Sequence, residues 1–153
     1  KEVYDNVTSL RRHGISGKHN YGYNSLIPED HANQLLLLLK KFDKLQGMRD
    51  KVCNRYKKNL PELQLICAGP NTKSSNHKLV ILADRRDELK AYLETKGIET
   101  KIHYTKTLDT ENIGHYPNAE RICAKALSLP IYPHLKIKEV DYVCDRIKEF
   151  IYV

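Results

Sequence analysis

The residues with the most chemical potential share one basic stretch, Arg11–Asn33, RRHGISGKHNYGYNSLIPEDHAN. Arg11, Arg12, His13, Lys18 and His19 make it cationic. Gly14, Gly17 and Gly22 permit turns that other residues resist, and Asn24 offers two amide donors just before a helix start. That combination suits an anion such as a phosphate. Gly17-Lys18 does not complete a P-loop, because the glycine required five residues earlier is Arg12 and no strand precedes it. On spacing alone the stretch serves equally as an anion site or as an ordinary surface loop.

Elsewhere the candidates thin out. His103-Tyr104 closes an expected strand, where site residues often gather, while His77 opens an apolar run and reads as a structural histidine. No two histidines have metal-binding helical spacing, so no metal is expected. No nucleophile–base arrangement can be assembled from spacing, and Glu29, Asp30, Glu62 and Asp109 form no recognisable carboxylate pair. Tyr21 and Tyr23, set among basic residues, could stack bases, and the net charge of +7 points the same way. Acids interleave with the bases, however, as in Asp84-Arg85-Arg86-Asp87-Glu88. The surface therefore reads as basic and solvated, and nucleic acid is not an expected partner.

Composition sets the remaining bounds. A chain of 153 residues, 41% hydrophobic and 29% charged, is an ordinary globular domain. Leu35–Leu39 is only five leucines before Lys40-Lys41, far short of the roughly 20 apolar residues that span a bilayer. Lys1-Glu2-Val3-Tyr4 opens no signal peptide, and four dispersed cysteines without a Cys-x-x-Cys fit reduced thiols. The expected location is cytoplasmic. Without an initiator methionine, the chain is expected to be a fragment, a processed product or an isolated domain.

These candidates must be held by elements that the hydropathy pattern outlines. Val3, Tyr4, Val7 and Leu10 share a face of a first short helix. From Pro28, apolar residues at Leu35, Leu38, Phe42, Leu45, Val52, Tyr56 and Leu60 predict one helix over 28–60, roughly 45 Å long. Strands are expected over Leu63–Cys67, His77–Ala83 and Ile98–Tyr104. Helices are expected over Arg85–Lys96, capped by Asp84 and ended by Gly97; from Pro117, with Ile122, Cys123, Ala126 and Leu127 inward; and over Lys136–Val153. The order implies an α+β fold: a small, mainly antiparallel sheet with helices on one face, preceded by a long spine helix.

Taken in order, these pieces resemble the C-terminal portion of the DegT/StrS-type sugar aminotransferases. The resemblance runs nearly end to end. It rests on Leu10-Arg11-Arg12-His13-Gly14, then Tyr21-Gly22-Tyr23-Asn24-Ser25 and the long helix. The strand at His77, Asp87-Glu88-Leu89, Lys96-Gly97-Ile98 and Ile102-His103-Tyr104 follow. Pro117-Asn118-Ala119-Glu120 and Leu127-Ser128-Leu129-Pro130-Ile131-Tyr132-Pro133 complete the set.

The resemblance implies a fold-type I enzyme that uses pyridoxal 5′-phosphate (PLP) to move an amino group from glutamate to a nucleotide-linked keto-sugar. The sugars concerned are those of cell-surface polysaccharides or deoxyamino sugars. It also implies a homodimer with shared active sites, in which Asn24 meets the cofactor phosphate of the other subunit. Arg12, His13, Lys18, His103 and Tyr104 are implied on the substrate side. Where the family has arginine, aspartate and glutamine after Asn24, this chain has Leu26, Pro28 and His31. The loop after His103 is shorter and lacks the family's His-x-Gln. The cofactor lysine is implied in an N-terminal large domain upstream, so this chain alone is expected to be inactive. Residues 1–27 are then an interface and anion-binding region, 28–60 an interdomain helix, and 61–153 a small α+β domain. The alternative is a non-catalytic binding or assembly domain on the same scaffold.

Overall fold

Val52, Cys53, Tyr56 and Leu60 recur at helical spacing and are almost wholly withdrawn from solvent, and they anchor the core. They belong to α3 (Phe42–Asn59) and the residue just after it, in a computed structural model that describes residues 1–14, 21–23, 25–66, 69, 71–108 and 114–152. The chain forms two units, Lys1–Phe42 and Asp43–Val153. Among the described residues no helix is long and apolar enough to cross a membrane.

The second unit is the α+β domain. Its three-stranded antiparallel sheet runs in the order β1 (Gln64–Leu65), β2 (Leu79–Leu82), β3 (Ala126–Leu129). In register, Leu79 faces Leu129 and Ile81 faces Leu127. Around the sheet lie α4 (Arg86–Thr95), α5 (Pro117–Lys125) and α6 (Ile137–Ile151). Leu89 and Leu93 of α4 and Val140, Val143, Cys144 and Ile147 of α6 join α3 and the strands in one apolar cluster. Tyr56, fully buried, donates its hydroxyl to the Pro130 carbonyl at 3.1 Å, and burial pushes its phenol well above the ordinary value. Burial likewise pushes the Cys144 thiol up to about 11, as suits an inert core cysteine.

Gly97 ends α4 as expected, at φ +74°, with the Ile98 N–H donating back to the Leu93 carbonyl. Asp84 does not cap α4; its carboxylate pairs with Lys125. The third strand also differs from the expectation. Ala126-Leu127 leaves the helix, and Ala126–Leu129 is the strand, entered from α5 without a loop. Ile122, Cys123, Ala126 and Leu127 fit a helical stripe, while Leu127 and Leu129 fit strand alternation, so periodicity alone cannot locate the change. The Ile98–Tyr104 segment keeps a single bridge, Lys101 to Ser128.

The helix expected over 28–60 is two helices. α2 (Glu29–Leu39) stops at Lys40-Lys41, where the Lys41 N–H bonds to the Leu38 carbonyl three residues back, and α3 follows. The apolar spacing in the sequence runs through the break unmarked. α2 buries none of its residues, and Leu35–Leu39 are 53–66% exposed.

In the first unit, α1 (Glu2–Leu10) leads into a backbone closure. The Tyr23 N–H donates to the Leu10 carbonyl at 2.7 Å, and the His13 N–H donates to the Tyr23 carbonyl at 3.4 Å. Gly22 makes that approach possible, since a Cβ there would lie 2.4 Å from the Gly14 nitrogen and 2.6 Å from the Leu10 oxygen. Backbone atoms cannot give way as a side chain would. Gly22→Ala should therefore open the closure and speed amide exchange at Tyr23 by about tenfold or more, as a local opening would; unchanged exchange would count against this account.

Between α3 and α6, Arg55 grips Asp141 bidentately at 2.6 and 2.8 Å, and Asn59 adds a third bond at 2.8 Å. The Arg55 hydrogen bond holds the Asp141 carboxyl below its ordinary value of 3.8. A depressed carboxyl stabilises the fold above its unfolded pKa, and that stability is lost as pH falls through the lower folded value. Asp141→Asn should lower the Tm at neutral pH and flatten its decline below about pH 4, measured by thermal unfolding across acid pH.

Candidate functional site

Lys101 and His103 stand two residues apart on the extended segment beside β3, so both can serve one side of it. Across the gap, Ser128 exchanges backbone hydrogen bonds with Lys101 at 2.8 and 3.1 Å. The Ser128 hydroxyl then lies 2.9 Å from His103 Nδ1. His77 and Lys78, just before β2, reach the same region, and the Lys78 ammonium sits 5.6 Å from the Tyr104 ring centre. The His103 and Tyr104 rings meet edge to face at 6.1 Å.

His77, Lys78, Lys101, His103 and Ser128 form one end of a cleft of about 640 Å³. Its other walls are apolar and aromatic, with Ile98, Ile131, Leu135 and the rings of Tyr132 and Tyr142. Three of its charges are already engaged. Lys101 lies 3.2 Å from Glu99, and the Glu139 carboxylate accepts the Lys136 N–H at the start of α6. Among the described residues Lys78 has no carboxylate partner, which leaves its charge available to a ligand. Burial pushes the His103 imidazole below its ordinary value, and Lys78, Lys101 and His77 act in the same direction. The shift favours the uncharged ring, which stands beside an ammonium and a hydroxyl. An ensemble of ring nitrogen, ammonium and hydroxyl accommodates phosphoryl or carboxylate oxygens, and the apolar wall accommodates a ring system.

The model of the DegT/DnrJ/EryC1/StrS aminotransferase family matches residues 1–148. The chain belongs to that family. It is 29% identical, over 97% of its length, to the dTDP-3-amino-3,4,6-trideoxy-alpha-D-glucose transaminase of Streptomyces venezuelae, and covers 43% of that protein. It is 26% identical to the GDP-perosamine synthase of Escherichia coli O157:H7, covering 45% of it. Among solved structures, S. venezuelae DesV superposes with a TM-score of 0.90 at 29% identity, and the Brucella abortus family member with 0.88 at 26%. Each superposition takes in 97% of this chain but only 44% and 43% of the other. The chain thus spans less than half the length of the relatives it matches.

Of the residues singled out by sequence, His103 lines the cleft, and Tyr104 stands next to it, exposed, with its ring against His103 and Lys78. Arg12 and His13 belong to the first unit, both exposed, with His13 in the left-handed region at φ 60°. Lys18 and Asn24 lie outside the described residues. His77 is exposed and lines the cleft, because the strand proper begins only at Leu79. Lys78, Lys101 and Ser128 were not singled out. The only signals for them were the two-residue spacing of Lys101 and His103 and a serine between two strand leucines.

His103 should titrate with a midpoint below 6.5, read from its ring resonances by NMR. Lys78→Gln should raise that midpoint only part of the way, since burial is the larger cause. A folded pKa below the unfolded one means this contribution to stability is present above 6.5 and lost as pH falls through the lower value. A midpoint at or above 6.5 would refute the assignment.

Proposed function

We propose that this chain works as the C-terminal part of an aminotransferase that moves an amino group from glutamate onto a nucleotide-linked keto-sugar. One observation carries the reading: the Ile102-His103-Tyr104 segment meets Lys78 and Ser128 at a cleft with an anion-receptive end and an apolar wall. A nucleotide-linked sugar has both characters, charged phosphates and rings. The names of the aligned transaminases, dTDP- and GDP-sugar enzymes, support the same substrate class.

PLP is the cofactor this reading calls for, and it would supply the electron sink for amino transfer. Among the described residues no lysine is buried, whereas a lysine poised to form a Schiff base works desolvated. The described residues therefore do not fit the reactive end of the cofactor. In the proposal that lysine comes from the remaining length of the relatives, and Asn24 reaches the cofactor phosphate of a second subunit. What this chain contributes is substrate binding, by His103 and Tyr104 in one unit and by Arg12, His13 and Lys18 in the other.

Residues 1–27 then act as the interface and anion-binding region, 28–60 as the interdomain segment, and 61–153 as the small domain. Support for the middle assignment is the leucine run of α2. Five consecutive leucines make the last part of α2 apolar on every side, a surface that belongs inside a larger body, and Leu35–Leu39 each leave more than half of their surface exposed within this chain.

The test is amino transfer by the full-length polypeptide carrying this chain, supplied with PLP, glutamate and dTDP-, UDP- or GDP-linked keto-sugars. Amino-sugar product, followed by mass spectrometry, is expected with one of them. His103→Ala should raise the KM for that sugar by about tenfold, the cost of one hydrogen bond to a charged group. No product from any of the three would favour a non-catalytic binding domain on the same scaffold.

A further inference from the structure

We infer that Ser128 is a positioning residue: its hydroxyl, 2.9 Å from His103 Nδ1, holds that cleft-lining ring in the tautomer protonated on Nε2, with its N–H donor on the nitrogen remote from Ser128.

The strand leaves Ser128 little freedom. It is 7% exposed, and its backbone N–H and carbonyl are both committed to Lys101. Among the described residues the hydroxyl has one partner, His103 Nδ1. A hydroxyl carries one hydrogen and two lone pairs, and an imidazole nitrogen is either a donor or an acceptor. Suppose Nδ1 carried the proton and donated to Ser128. The serine hydrogen, on a residue only 7% exposed, would then have no acceptor among the described residues, and a donor left so costs much of a hydrogen bond. In the other arrangement the serine hydrogen meets the Nδ1 lone pair, and only spare lone pairs stay unused. Hydrogen-bond accounting selects the second arrangement. It leaves the ring's remaining proton on Nε2.

The consequence for ligand binding depends on His103 meeting an anionic substrate group, as proposed above. An Nε2–H donates to a phosphoryl oxygen; a bare Nε2 lone pair would repel it. Ser128 therefore acts on the ligand only through His103. The surrounding charges work to the same end. Lys78, Lys101 and His77 oppose a positive charge on the ring. Charging it would also place a proton on Nδ1 and force the serine hydroxyl to turn away. His103 thus remains a neutral donor next to the Lys78 ammonium.

Long-range proton–nitrogen NMR spectra of the chain with ¹⁵N-labelled histidine read the tautomer directly. Above the ring's titration, the wild type should show His103 protonated on Nε2 alone. Ser128→Ala removes one oxygen and little volume, and should shift the ring to a mixture containing the Nδ1–H form. Ser128→Thr, which keeps the hydroxyl, should restore the single tautomer. Inorganic pyrophosphate, titrated as the anion probe, should move the His103 resonances and bind about fivefold more weakly to Ser128→Ala, the loss of roughly one neutral hydrogen bond. A wild-type ring protonated on Nδ1, or a Ser128→Ala ring with an unchanged tautomer, overturns the inference. Tautomer control as described, with no pyrophosphate response in the wild type, overturns the anion-binding reading of His103 instead.

Discussion

The second unit depends on a strand with no exposed residue. Ala126, Leu127, Ser128 and Leu129 are all buried, with β2 paired along one edge and Lys101 bridged at the other. A strand in that position must satisfy every backbone polar group within the protein, and its one polar side chain as well. The leucines meet the requirement by joining the apolar cluster that α3, α4 and α6 complete. Ser128 meets it by bonding to His103. The same constraint that builds the core thereby fixes a ring at the edge of the cleft, so packing and site chemistry are settled together.

Much of this was legible in the residues. The antiparallel α+β architecture, Gly97 at the end of α4 and the apolar faces of α3, α4 and α6 follow from period and from turn chemistry. Illegible parts share a cause: one apolar spacing can satisfy two structures. The Leu35–Leu60 stripe continues through the turn at Lys40-Lys41, so two helices look like one. Ile122 to Leu129 obeys helix and strand periods in turn, so the third strand was sought at Ile98–Tyr104. Asp84 had the right chemistry for a cap, yet Lys125, brought near by the fold, offered it a full opposite charge.

The site shows a similar division. His103 and Tyr104 could be picked out because a strand end concentrates polar residues and because their segment resembles a family motif. Their partners could not. Lys78 and Ser128 each lie 25 residues from His103, one before it and one after, and only strand pairing brings them close. His77 precedes an apolar run and so reads as structural, but the ladder starts two residues later and leaves it exposed on the cleft. Long-range pairing is what local spacing cannot encode.

The direct passage from α5 into β3 ties two surfaces of the domain that look independent. With no linker between Lys125 and Ala126, there is no slack to absorb a change in length. Removing or adding one residue in α5 would advance the strand by one position. Side chains alternate along a strand, so that single step would replace the serine beside His103 with a leucine and turn the hydroxyl into the core. The outer face of α5 can change its residues freely, but its length is held in trust by the cleft.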